Sequence, residues 1–205
     1  MFGDSADVSG SRAKKELLGD LLKATSRTFY ETLRVLPGTL RPQIGLAYLL
    51  ARTTDTIADT EIVPPEQRLA ALQLLRERII GSHRRPLEFG ELARHQGSPA
   101  ERVLLERCEE ALSLLESLNF ADQSRIHEVL KIITSGQELD VRRFAGASVK
   151  NIVALASAQE LDDYTYRVAG CVGEFLTKIW RAHLFSRASL DETRLLADSV
   201  RFGKG

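Results

Sequence analysis

Apolar residues recur at three- and four-residue intervals along almost the whole chain, and no stretch shows sustained alternation bounded by turn residues. The pattern predicts an all-α protein. Leu17, Leu18, Leu21, Leu22, Phe29, Leu33 and Leu36 outline a first helix that stops at Pro37-Gly38. A second begins near Pro42 and runs to about Thr60, where Val63-Pro64-Pro65 forces a connection. Further helices are predicted over 66–80, 100–118, 122–144, 149–157, 160–185 and 189–202, with a link containing Gly, Pro and His from Gly81 to Ser98. No internal repeat or second domain is visible. Residues 15–205 read as one helical domain behind a tail, 1–14, expected to be disordered.

Within the second predicted helix the polar positions are unusual. Tyr48, Arg52, Asp55 and Asp59 lie at offsets of 0, 4, 7 and 11, which at about 100° per residue places them within roughly 60° of one another. Leu46, Leu50 and Ile57 form the apolar back of the same helix. An ordinary solvated face would explain such a stripe, with Arg52 pairing to Asp55 on the surface. Solvated faces in this chain, however, look like EQRLAALQLLRERII, whereas residues 44–60 hold no Lys or Glu. The stripe is therefore expected to be enclosed, and two enclosed carboxylates need more than the one cation that Arg52 supplies. A hard divalent ion is the natural complement, because Mg²⁺ takes one or two carboxylates and completes its shell with water and phosphate oxygens.

A contrasting stripe occupies DDYTYRVAGCVGEFL, where Tyr164, Val168, Cys171 and Phe175 share the offsets 0, 4, 7 and 11 and are apolar except for the phenol. Gly170 and Gly173 inside this helix imply close approach by another backbone or by a ligand. Tight helix packing accounts for them without any ligand. Taken together, an acidic wall and an oily wall suit an amphiphile with a diphosphate head and a hydrocarbon tail.

Composition narrows the classes. The 205 residues carry 28 basic and 28 acidic side chains, so no global field draws the chain to nucleic acid, and any anion must be held locally. Cys108 and Cys171 are far apart and match no metal-ligand spacing, which fits a reducing, cytoplasmic setting. The N-terminus lacks the apolar run of a signal peptide, and no run approaches the roughly 20 residues of a membrane span. Contact with a membrane is expected to be peripheral or made by sequence beyond this chain.

TSRTF at 25–29, YLLARTTDTIAD at 48–59, GQELD at 136–140 and YTYRVAGCVGE at 164–174 occur in an order that resembles the squalene and phytoene synthases, and the squalene branch most closely. These are head-to-head prenyl transferases of isoprenoid metabolism. The resemblance implies an isoprenoid synthase-type helical bundle that joins two farnesyl diphosphates to presqualene diphosphate and reduces it with NADPH to squalene. It implies Mg²⁺ on Asp55 and Asp59, with Arg52, Ser26, Arg27 and Tyr48 at the diphosphate and Tyr164 moving a proton near the reacting carbons. Phe29, Val168, Cys171 and Val172 would line the prenyl channel, and Gln137 and Asp140 would sit near the reaction centre. Ala58 departs from the Glu often found beside the second aspartate in animal and fungal squalene synthases.

The family's second aspartate-rich motif is expected directly after SVRFGKG, where this sequence ends, so the chain reads as an N-terminal portion expected to be inactive alone and prone to self-association. Phytoene or dehydrosqualene synthesis without hydride transfer, a non-catalytic assembly factor of the same fold, and a plain helical interaction module are the competing readings.

Overall fold

A computed structural model describes residues 12–26 and 28–205. The chain is all-α, with no strand among the described residues. It runs through a π-helical turn α1 (Glu16–Leu21), then α2 (Leu22–Ser26), α3 (Thr28–Val35), α4 (Arg41–Ala58), α5 (Pro65–Ile79), α6 (Gly90–Arg94) and α7 (Pro99–Glu106). There follow α8 (Cys108–Glu116), α9 (Phe120–Phe144), α10 (Ala158–Thr165), a π turn over Tyr166–Gly170, α11 (Cys171–His183) and α12 (Glu192–Lys204). The tail expected over 1–14 lies outside the described residues as far as Ser11, and residues 12–15 are helical.

α4 is the central helix. Leu46, Leu49, Leu50 and Ile57 are wholly buried, and α5, α7, α8 and α9 pack around it. α9 reaches from α4 across to α11, and α12 covers α11 and the π turn before it. One buried carboxylate ties three of these helices together. Asp122, in the first turn of α9, accepts from Gln43 of α4 at 3.2 Å, Asn119 at 2.8 Å and Arg125 at 2.9 Å. His183 Nε2, at the end of α11, lies 3.0 Å from both Asp122 oxygens. Burial alone would raise the pKa of Asp122, but the bonds from His183, Asn119 and Gln43 outweigh it and leave the group below the usual carboxylate value.

Three expectations are corrected. The helix over 149–157 does not form: Val149 and Ile152 are 99% and 87% exposed, so no apolar face repays the nucleation cost of so short a segment. In its place Ser148 and Asn151 exchange backbone hydrogen bonds of 2.9 and 3.0 Å, and Asn151 Nδ2 donates to Gly146 O at 2.7 Å. The helix over 100–118 is broken at Arg107, which leaves helical dihedrals while its guanidinium pairs with Glu16 and Glu110. The Gly81–Ser98 link contains α6, too short to show a period, whose Leu92 and Ala93 are buried.

Candidate active site

The stripe on α4 forms as its spacing predicts, and the structure qualifies its enclosure. Around it Thr53, Thr54, Thr56 and Thr60 are buried, and Thr53 returns its hydroxyl to the Leu49 carbonyl at 2.8 Å. Tyr48 stacks on Phe29 of α3, with ring centroids 4.4 Å apart. The acidic end opens outward: the Asp55 side chain is 46% exposed, and Asp59, which caps α4, is exposed. Arg52 lies 3.9 Å from Asp55 but bonds to Glu101 of α7, a partner with no local signal in the sequence.

Two adjoining cavities meet at this end. The first, about 350 Å³, is mainly apolar, with walls from Phe29 and Tyr48, from Val129 and Ile133 on α9, and from Val172 and Phe175 on α11. The second, about 510 Å³, is lined by Asp55, Asp59, Glu61, Asp140 and Arg68. Asp55, Gln137, Asp140 and Val168 line both, so the apolar pocket continues into the acidic one. Gln137 Nε2 donates to Asp55 Oδ1, while Gln137 Oε1 is buried without a partner.

Electrostatics follow from this geometry. Burial raises the pKa of Asp55, with the Gln137 bond opposing it and the Asp59 charge adding to it. Partial desolvation at the cavity mouth also raises Asp59, against the pull of Arg52, and burial raises Asp140 against Arg143. Four acidic side chains and a single cation line the acidic cavity. This surplus fits a bound cation. Among the described residues no three such side chains converge into a closed cage. The donor set therefore suits an ion that draws most of its ligands from water and phosphate, as Mg²⁺ does.

The opposite wall departs from the expected stripe. Tyr164, Val168 and Phe175 line the apolar cavity as expected, but Cys171 does not, and Val172 and Leu176 take the positions beyond Val168. The cause is the π turn. The Cys171 N–H reaches back to Tyr166 O, five residues earlier, and this inserts one residue into the helix and shifts everything after it. Cys171 points into the core, 2% exposed, with its thiol bonded to Arg167 O at 3.3 Å and its pKa pushed up to about 11, chiefly by burial.

The glycines resolve in favour of packing. A Cβ on Gly173 would lie 3.1 Å from the Ser199 carbonyl carbon of α12 and closer still to its oxygen. Ser26 is buried and returns its hydroxyl to Leu22 O, lining neither cavity, and Arg27 lies outside the described residues. Arg68 and Arg167 are additional lining residues. Arg68 belongs to the segment read as a solvated face yet is 7% exposed, while Arg167 lines the apolar cavity and pairs with Asp163 at 2.8 Å.

The fold is that of the isoprenoid synthases. It matches two ligand complexes of TcSQS with TM-scores of 0.68 and 0.67 at 23% and 24% identity, covering 93% and 94% of this chain and 50% and 51% of those chains. The squalene/phytoene synthase family model matches residues 22–205, and the chain belongs to that family. It is similar to the squalene synthase of Saccharomyces cerevisiae, 26% identical over 181 residues, covering 88% of this chain and 38% of that protein. It is also similar to the squalene synthase of Dictyostelium discoideum, 25% identical over 181 residues, covering 88% of this chain and 40% of that protein. The chain thus spans about two fifths of the length of these relatives.

Proposed function

We propose that the chain binds a prenyl diphosphate, farnesyl diphosphate by preference, as part of an enzyme that joins two such molecules head to head. The continuity of the apolar cavity with the acidic one carries this reading: the hydrocarbon lies among Phe29, Val129, Ile133, Val168 and Val172, and the diphosphate lies by Asp55 and Asp59. Those two aspartates would hold Mg²⁺, which when bound would offset the charge of the departing diphosphate. Arg52 orients the acidic end from the Glu101 side, and Gln137 fixes the Asp55 carboxylate. The apolar wall keeps water from the allylic cation once the diphosphate leaves. Tyr164, on that wall, is assigned the proton lost when the cyclopropane of presqualene diphosphate closes.

In the second stage loss of the remaining diphosphate would let the cyclopropane rearrange and open, and NADPH, when bound, would supply the hydride that quenches the resulting cation to squalene. A cytoplasmic enzyme in peripheral contact with a membrane suits substrate and product of this kind, and no helix among the described residues is long and apolar enough to cross one.

The test is titration of this chain with a non-ionising farnesyl thiodiphosphate, with and without Mg²⁺, together with product identification from farnesyl and geranylgeranyl diphosphates with and without NADPH. Mg²⁺-dependent binding is expected, and squalene from an active form of the enzyme. A hydrocarbon formed without NADPH would mean phytoene-type chemistry, and no prenyl diphosphate binding would refute the reading.

A further inference from the structure

Arg68 is a buried cation with no carboxylate in direct contact among the described residues. It is 7% exposed, and among the described residues no carboxylate lies within 4.0 Å of its guanidinium. One terminal nitrogen donates to Ala58 O, the last carbonyl of α4, and Nε is buried without a partner. A charge in this state is costly unless something completes its shell. The open side is the acidic cavity, which Arg68 lines with Asp55, Asp59 and Asp140.

A second feature points the same way. α5 spans 15 residues, starts at Pro65 and carries Arg68 in its opening turns, and its N-cap residue Pro64 offers no side-chain cap. Pro65 lines the same cavity, so the positive end of the helix dipole meets the guanidinium there. A planar guanidinium beside a helix N-terminus matches a phosphate better than it matches the flanking carboxylates, none of which lies within 4.0 Å of it.

We propose that Arg68 is a diphosphate-binding residue, gripping a phosphate oxygen from the α5 side while the other face of the diphosphate meets the metal held by Asp55 and Asp59. This assignment deepens the prenyl diphosphate reading of the site and rests on it. Arg68 thereby also couples head-group binding to the end of α4, because the same guanidinium holds the Ala58 carbonyl beside Asp59.

The experiment compares the unaltered chain with Arg68→Gln and Arg68→Lys for Mg²⁺-dependent binding of farnesyl thiodiphosphate and for binding of farnesol, which has the tail alone. A second measurement follows the Nε–H resonance of Arg68 in the unaltered chain as inorganic pyrophosphate and Mg²⁺ are added. Loss of a charged hydrogen bond should weaken diphosphate binding by about tenfold to a hundredfold in Arg68→Gln, less in Arg68→Lys, with farnesol binding unchanged. The Nε–H resonance should move and exchange more slowly. Unchanged diphosphate affinity in a folded Arg68→Gln would overturn the assignment, as would an unmoved resonance under saturating pyrophosphate. If Arg68→Gln fails to fold, the resonance decides. Should the unaltered chain bind neither farnesyl thiodiphosphate nor pyrophosphate, the substrate reading falls as well. Binding of both with an indifferent Arg68 overturns the Arg68 assignment alone and leaves the substrate reading standing.

Discussion

Gly173→Ala tests how the apolar wall is held. The added methyl would lie 3.1 Å from the Ser199 carbonyl carbon, where carbon atoms normally rest about 3.5 to 4.0 Å apart, and nearer still to the carbonyl oxygen. The obstacle is the backbone of α12, so relief requires the whole helix to move by roughly 0.5 to 1 Å. Overpacking of this kind costs about 1 to 3 kcal/mol. Because the obstacle is backbone, the upper part of that range, about 2 to 3 kcal/mol, applies; replacing Gly by Ala inside a helix returns about 1 kcal/mol of propensity, leaving a net loss of about 1 to 2 kcal/mol. For a domain of this size that is a fall in Tm of about 2 to 8 °C. Gly170→Ala is the control, since its methyl would meet only side chains, Tyr166 at 3.1 Å and Lys204 at 3.2 Å, which can swing aside. Scanning calorimetry of both variants, with hydrogen exchange along α12, gives the answer. A Gly173→Ala variant as stable as the parent, or more so, would show that α12 does not seat against Gly173 and would undo the account of this wall.

The shifted register predicts that Val172→Trp blocks the apolar cavity and weakens prenyl diphosphate binding at least tenfold, whereas Cys171→Ala lowers Tm by a few degrees and leaves binding intact; the reverse pattern in titration would restore the α-helical register. Asp55→Asn should remove Mg²⁺-dependent diphosphate binding while leaving the unliganded chain at least as stable at pH 7. Because the folded state raises the Asp55 pKa, the ionised carboxylate opposes folding above that value and the strain disappears as the pH falls, so a less stable variant at pH 7 would refute this. Asp122→Asn should cost about 2 to 3 kcal/mol, at or just below the low end of what breaking a buried ion pair costs, because its cationic partner Arg125 is partly solvated. The folded pKa of Asp122 is depressed, so its contribution is full at neutral pH and the gap between parent and variant should close below about pH 4; a pH-independent gap in denaturant midpoints would argue against it.

The acidic stripe was legible because Tyr48, Arg52 and Asp55 lie in regular α-helix with Asp59 at its C-cap, where spacing alone decides which residues share a face. On the facing wall the same arithmetic placed Tyr164, Val168 and Phe175 but missed at Cys171, because nothing in YTYRVAGCVGE marks where a π turn will insert its extra residue. Val149 and Ile152 carried an apolar period with no surface to meet it, which only the tertiary structure reveals. Arg68 was hidden by its company, since a buried cation between Gln67 and Leu69 looks like any residue of a solvated face. Glu101 was out of reach because its bond to Arg52 spans 49 positions.

The π turn at Tyr166–Gly170 also makes the wall of the apolar cavity convertible by a change of winding. Rewinding the turn to regular α-helix at unchanged length would rotate α11 by about 100°, turning Val172 away and presenting the Cys171 thiol to the tail of the ligand, whereas deleting the extra residue would leave Val172 seven places after Tyr164 and still on the cavity. The inert lining would then hold a nucleophile, and a prenyl chain bearing a terminal electrophile would alkylate the rewound protein and spare the parent, whose thiol is buried with its pKa pushed up to about 11. For this cavity, the winding of one turn therefore decides which side chains the ligand meets, at unchanged sequence along the wall.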